Sequence, residues 1–421
     1  MKPVVAAIRD FREAALAFTP PARRFLATIF LSFAGFGVHQ VLFNLYLVQA
    51  QWTEGEIGRA IALNGLGVAL GAVPSAWLAE RWGRRRAIVA GTVLDAIALG
   101  ARALMTAHTP VLAASFVAGL AQSMIAISAA PFITEHSSPR ERTHLFSAFF
   151  ASELLAAVLG SMVGGWLPNV LMSLPLWPSH DIFSAYRVTL VFGAVIEACA
   201  ILPLAMLAMA PEPPMVAERG AASGEAGRRM IAIAAYATMI GIGAGLVIPF
   251  MNLYFANRFQ CSSAQIGTFF SIAQVITALA SLAAPAVARS FGRLKTAYAC
   301  QLLSLPFLVT LGFEKHLSYA VAAFLIRATL MQATTPLFSA FVMEALPINL
   351  RARATSLINL MWNAGWAASA TAAGFLIERF GYDKPFYVTA CLYLVGATWF
   401  YLRFRSLDVK GDGLQAPPPI A

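Results

Sequence analysis

The 421-residue chain is 59% hydrophobic and 12% charged, with a mean hydropathy of +0.70. Soluble domains carry roughly 25% charged residues, so the composition excludes a soluble globular fold and indicates a polytopic membrane protein. A formal charge of +10 would suit nucleic acid, but the Lys and Arg recur in short clusters between apolar runs and form no stripe, which argues against that partner.

Residues 1–24 carry Val4, Val5, Ile8, Phe11, Ala15 and Leu16 near helical spacing, with charges between them, ahead of Pro20 and Pro21. Two readings stand, a helix lying on the inner leaflet or a tail without structure. The first apolar run, 25–48, exceeds a signal-peptide core and is followed by no small-residue cleavage site. It is expected to remain as the first membrane helix.

Twelve apolar segments of spanning length follow one another: 25–48, 57–79, 87–106, 111–134, 143–167, 186–210, 229–253, 266–288, 296–313, 318–342, 353–377 and 385–404. Their even number puts both termini on one side. With that side cytoplasmic, 22 of the 30 Lys and Arg lie inside and 6 outside, while Arg102 and Arg327 fall within segments. The bias fixes the orientation and implies an inner (plasma) membrane protein with cytoplasmic termini.

Pro211–Arg228, rich in Pro, Gly, Ser and Glu, divides the segments six and six and reads as a flexible linker. The expected organisation is an N-terminal segment 1–24, a bundle 25–210, a linker 211–228, a bundle 229–404 and a tail 405–421. The halves also repeat each other. Asn44-Leu45-Tyr46 is matched by Asn252-Leu253-Tyr254, and Ile57-Gly58 by Ile266-Gly267. Gly58 to Gly83 and Gly267 to Gly292 are each 25 residues; Arg142 to Gly165 and Arg351 to Gly374 are each 23. Parallel six-helix halves are one known transporter architecture.

At the cytoplasmic turn after the second segment the chain reads Ala76-Trp77-Leu78-Ala79-Glu80-Arg81-Trp82-Gly83-Arg84-Arg85. This resembles the signature of the major facilitator superfamily, approximately Gly-x-x-x-Asp-Arg-x-Gly-Arg-Arg, and the likeness extends from residue 25 to 404. The chain departs from it at Ala76 and Glu80. The second copy, Arg289-Ser290-Phe291-Gly292-Arg293-Leu294-Lys295, has Arg where the acid stood. The resemblance implies an all-α fold of two pseudo-symmetric six-helix bundles, and a secondary active transporter rather than an enzyme. It also implies a cytoplasmic gate at Glu80, Arg81, Gly83 and Arg84; the competing reading is that the arginines only enforce topology.

Charges at mid-membrane are costly and mark function or structural pairing. Those within segments are His39, Asp95, Arg102, Glu153, Glu197 and Arg327. Glu153 is eleven residues past Arg142, roughly 16 Å in at 1.5 Å per residue. By the resemblance, segments 1, 4, 7 and 10 line the cavity, 2, 5, 8 and 11 lie between halves, and 3, 6, 9 and 12 lie outside. His39, Glu153 and Arg327 then become coupling or substrate candidates. Asp95, Arg102 and Glu197 become a structural trio. For Glu153 and Arg327, proton coupling or substrate contact competes with a permanent ion pair.

The candidate substrate face adds Gln40, Gln122 and Ser123, then Arg327, Met331, Thr334 and Phe338 at i, i+4, i+7 and i+11, then Asn359, Trp362, Asn363 and Trp366. Such a mixture suits a small organic molecule with an apolar body and polar handles; the alternative for the tryptophans is helix packing. Gly67-x-x-x-Gly71 and Gly160-x-x-x-Gly164 are close-packing motifs. No Gly-x-x-x-x-Gly-Lys-[Ser/Thr] loop, metal spacing, triad or disulfide framework occurs, so no cofactor is expected. Proton-driven export of amphipathic compounds or drugs by a monomer in the lipid bilayer is the favoured reading. Its rivals are organic-anion uptake on Arg327 and a non-transporting membrane sensor or assembly partner.

Overall fold

The computed structural model describes residues 18–137, 139–175, 181–206 and 224–407; most of the N-terminal segment, the linker and the tail lie outside these. Twelve long helices occur among the described residues. They are α1 (Pro20–Gln49), α2 (Glu54–Trp82), α3 (Arg84–Leu104), α4 (His108–Glu135), α5 (Pro139–Ser173), α6 (Ile182–Cys199), α7 (Gly224–Val247), α8 (Ser263–Phe291), α9 (Arg293–Phe313), α10 (Leu317–Ala345), α11 (Ile348–Phe380) and α12 (Asp383–Phe404). Helices close every backbone hydrogen bond within the segment, which hydrocarbon demands.

Local chemistry sets the ends. Thr19 caps α1 by accepting from the Ala22 amide, and the first turn holds prolines, whose missing N–H costs nothing there. Asp181 caps α6 by accepting from the amides of Phe183 and Ser184. Between α2 and α3 the chain reverses at Gly83 with φ 89°, and between α8 and α9 at Gly292 with φ 92°, a conformation that a Cβ disfavours. The seventh predicted segment is interrupted. α7 ends at Val247, passes through a 3-10 turn Ile248–Phe250 and resumes as Met251–Phe259. Pro249 supplies the reason, since it lacks an amide donor and its ring crowds the preceding turn. Among the described residues eleven helices are apolar and long enough to cross a membrane by length and composition, and α11 is not one of them.

The chain forms two compact units. The first takes the described residues within Met1–Gln51, Leu66–Met215 and Ser262–Ser271; the second takes those within Trp52–Gly65, Val216–Cys261 and Ile272–Ala421. The sequence division at 210/229 places all of α2 in one bundle and all of α8 in the other, whereas by contact each of these helices is shared.

Within the first unit α1 lies against α5, where a Cβ on Gly37 would meet the Ala157 carbonyl at 3.1 Å and one on Gly164 would meet the Val38 Cα at 3.0 Å. Gly67 and Gly71 bring α2 against α4 at Phe116 and Ser123. In the second unit the equivalent contact is α7 on α11, at Gly241 against Trp362 and Gly245 against Trp366. The Gly241-x-Gly243-x-Gly245 run is thus a packing face, with Gly243 closed off by the Tyr393 ring. Small residues permit this approach, and dispersion rather than water exclusion holds such helices together in lipid.

The repeat extends to side chains. Tyr46 donates to the Ala103 carbonyl at 2.9 Å and Tyr254 to that of Leu311 at 2.7 Å. Arg84 pairs with Glu135 in the first unit and Arg293 with Glu344 in the second, each separated from its counterpart by 209 positions. All four cysteines are free thiols, and Cys261 is buried in the loop immediately before α8.

Candidate functional site

The turn between α2 and α3 is organised within the first unit. Arg84 is buried and ion-paired to Glu135 at the end of α4. Arg81 lies over the Trp77 ring, 5.2 Å from its centroid. Arg85 donates to the carbonyls of Leu204 and Ala205 at 3.0 Å each, tying the start of α3 to the short turn Ile201–Ala205 that continues α6. Glu80 is exposed and holds no hydrogen bond or ion pair among the described residues. The basic cluster therefore has structural work inside its own unit, and Glu135, which the sequence did not single out, is its acid. A signal existed: Glu135 and Glu344 stand at the same 209-residue offset as Arg84 and Arg293.

Of the coupling candidates in the first unit, Glu153 is partly buried on α5, with no hydrogen bond or ion pair among the described residues. Gln40 is exposed. His39 is 3% exposed; its Nδ1 donates to the Gly35 carbonyl at 3.1 Å and its Nε2 has no partner. Ser123 exchanges a hydrogen bond of 2.8 Å with Ser75.

The structure also collects residues that the sequence had separated. Asp95 and Arg102 on α3 and Glu197 on α6 were placed apart from His39 and Gln122. All five belong to one group in the first unit, with His39, Asp95 and Glu197 buried and Arg102 and Gln122 partly buried. Asp95 lies within electrostatic reach of Arg102 and Glu197, Arg102 of His39, and the Gln122 amide faces Asp95. Glu197 accepts from the Ser32 hydroxyl on α1 at 2.9 Å. The Arg102 guanidinium stacks 3.6 Å from the Phe43 centroid, a favourable berth for a cation removed from water.

In the second unit Arg327 is 4% exposed and is directed at α12. Its Nη2 donates to the Tyr393 hydroxyl at 3.5 Å, and its guanidinium lies 6.0 Å from that ring's centroid. Thr334 is buried and, with Phe338, lines a small cavity shared with Tyr236, Gln301 and Phe400. The α10 face predicted to meet substrate thus carries residues turned toward α7, α9 and α12, while Met331 is only partly buried. On α11, Asn359 is exposed, Asn363 donates to its carbonyl at 2.8 Å, and Trp362 and Trp366 sit with centroids 5.0 Å apart. Both tryptophans remain partly accessible while their backbone packs on α7.

Membrane-length helices arranged as two repeated sets of six, with charge buried at mid-span, define a two-bundle membrane transport protein. The chain belongs to the major facilitator superfamily, whose model matches residues 25–234 and 233–418. It is an integral membrane transporter, not an enzyme. Curated relatives include a protein named multidrug resistance protein MdtH from Aeromonas salmonicida, 29% identical over 141 residues, covering 32% of this chain and 34% of the relative. Another of that name, from Photorhabdus laumondii, is 27% identical over 155 residues, 35% of this chain and 37% of the relative. The match therefore spans about a third of the length of these relatives. Among solved structures, an inward-facing bacterial homologue of the human lysosomal transporter Spinster aligns with a TM-score of 0.74 at 15% identity, covering 92% of this chain and 96% of that one. The inward-open xylose transporter XylE from E. coli aligns at 0.72 and 15% identity over 94% and 99%. At such identity the likeness establishes the fold.

Proposed function

We propose that the protein exports amphipathic organic compounds across the inner membrane as a monomer, driven by the proton gradient, with both termini cytoplasmic. The observation that carries the direction is the similarity to proteins named for multidrug resistance. Alternating access around a midplane site is the mode suited to two-bundle transporters. The substrate contacts assigned are the accessible aromatic and amide groups of α11, Trp362, Trp366, Asn359 and Asn363, which offer an apolar surface with a few polar handles. Glu153 is the coupling group assigned, because a carboxyl with no fixed partner is free to load and release a proton. Glu80, Arg81, Gly83 and Arg84 are assigned to the cytoplasmic gate. Uptake of an organic anion on Arg327 is less well supported, since that guanidinium is buried and directed at Tyr393.

The test is flux of a fluorescent amphipathic cation in proteoliposomes under an imposed proton gradient. Substrate accumulation that follows the gradient and collapses with a protonophore is the expected result. Flux indifferent to the gradient refutes the proton drive, and absence of flux across chemically varied amphipathic solutes refutes the exporter assignment.

A further inference from the structure

The second unit buries a cation for which its own helices supply no anion. Arg327 is 4% exposed and stands ten residues past Leu317, where α10 begins, about 15 Å in at 1.5 Å per residue. The acids of residues 229–404 are Glu314, Glu344, Glu378 and Asp383, each within three positions of a helix end, as are Glu54 and Glu56 at the start of α2. Glu344, on the same helix, is 17 residues away, about 25 Å along the axis. The neighbouring helices carry no charge at this depth: none stands between Arg229 and Arg258, between Lys295 and Glu314, or between Lys384 and Arg403. Among the described residues Arg327 has no ion pair.

The repeat shows that the fold does not need this residue. Helix α10 aligns with α4 at an offset of 209 and α12 with α6 at 203, the latter matching Gly193 with Gly396 and Phe183 with Phe386. Arg327 then corresponds to Ala118 and Tyr393 to Leu190, so the first unit builds both helices with neither group. Nor does the second unit satisfy the guanidinium. Of its five N–H donors, one is engaged among the described residues, by the Tyr393 hydroxyl at 3.5 Å, longer than the usual range of about 2.7–3.2 Å. Nε is buried without a partner. Tyr393 is 1% exposed, its ring edge lies against Gly243 of α7, and Thr389, one turn earlier in α12, donates to the Gly243 carbonyl at 3.0 Å. The hydroxyl is thereby held in place, and because it accepts from Arg327, its own proton remains to be donated.

A guanidinium keeps its charge in a protein interior, so the site cannot neutralise itself by losing a proton as a buried ammonium can. An uncompensated charge at mid-membrane is among the costliest things a fold can hold. We propose that Arg327 and Tyr393 bind one small monovalent anion of the halide class, chloride being the representative, inside the second unit. The donors are the unpaired N–H groups of Arg327, Nε–H among them, and the Tyr393 O–H. No bond breaks, and the site passes from net +1 to neutral. One guanidinium calls for one negative charge, which selects a monovalent ion over a phosphate dianion, and burial of both side chains selects a small ion over an organic anion. The ion is a resident counter-charge and not cargo, so its binding does not rest on the export reading above.

The experiment is thermal unfolding of the purified full-length protein in nanodiscs, with chloride titrated against gluconate at constant ionic strength and bromide as a second probe. The melting temperature of wild type should rise with either halide and saturate, because an ion bound by the folded state alone stabilises it. Arg327→Gln should abolish the halide dependence. Tyr393→Phe keeps the guanidinium and removes one donor, and should raise the halide midpoint about 10- to 100-fold, the equivalent of one hydrogen bond to a charged group. If Arg327→Gln does not fold, Tyr393→Phe decides. A wild-type melting temperature equal in chloride, bromide and gluconate overturns the proposal, as does a halide dependence unchanged in the folded variants. A tyrosinate absorbance band in wild type that Tyr393→Phe removes would also overturn it, since the phenolate would then be the counter-charge.

Discussion

Replacing Gly165 by alanine tests how tightly the start of α8 is seated on α5 in the first unit. A Cβ at Gly165 would lie 2.7 Å from the Ser263 carbonyl oxygen and 2.8 Å from the Gly267 Cα. Both neighbours are backbone, so neither can rotate away, and the two helices must separate by several tenths of an ångström. The seam there is tied by Ser263 donating to the Gly165 carbonyl at 2.9 Å, Ser271 to that of Val158 at 3.0 Å, and Trp166 Nε1 to Thr268 at 3.1 Å. Overpacking of this kind costs about 1–3 kcal/mol, equivalent to a roughly 5- to 150-fold change in a local opening equilibrium. Hydrogen–deuterium exchange of a peptide covering 263–271 should accelerate within that range. Gly100→Ala is the control, since a Cβ there meets nothing within 4 Å and alanine favours a helix interior by about 0.5–1 kcal/mol. Equal exchange in Gly165→Ala and wild type would refute the reasoning. Gly374→Ala makes the same demand in the second unit, against Glu54 and Gly55, and should accelerate exchange over 54–62.

Glu153→Gln should abolish gradient-driven flux while substrate still raises the melting temperature; unchanged coupling would remove Glu153 from the proton path. Glu135→Gln takes the carboxylate from Arg84, whose side chain is 10% exposed, whereas Glu344→Gln takes it from Arg293 at 35%. The first should cost more than the second in mixed-micelle unfolding, because the Arg84 pair is the more buried, and equal costs would contradict the burial argument. Tyr254→Phe should cost about 1 kcal/mol in the same assay and Tyr46→Phe more, because the Tyr46 hydroxyl also accepts from Arg187 Nε at 3.3 Å. Outside the membrane, the backbone amides of His316 and Lys315 donate to Glu314 and hold its carboxyl below the ordinary 4.5. Its stabilising effect should be complete above that value and fade as pH falls through the lowered one; a melting profile over this range that is identical in Glu314→Gln would count against it.

How much was legible depends on what hydrocarbon constrains. Segment number, the two families of loops and the duplication were readable because a span must be long and nearly uncharged, and because Gly83 and Gly292 mark turns that few residues tolerate. The same arithmetic placed Glu153, Arg327 and the α11 aromatics on their helices, but it did not decide where their side chains point. Arg327 turned to Tyr393, and Thr334 turned into the second unit's interior. His39 and Gln122 met Asp95, Arg102 and Glu197, residues on helices assigned to a different layer.

The physical reason is that a helix in lipid is apolar on its outer face as well as its inner one, so the 3.6-residue period that orients a soluble helix is nearly absent. Rotation about each axis is set instead by where small residues let two backbones touch, as at Gly164 on Val38 or Gly165 on Gly267, and these partners are far apart in sequence. By itself the sequence determined how many apolar segments of spanning length follow one another and that one half copies the other. Only the tertiary structure decided which buried charges share a site, because that depends on helix rotation and not on depth.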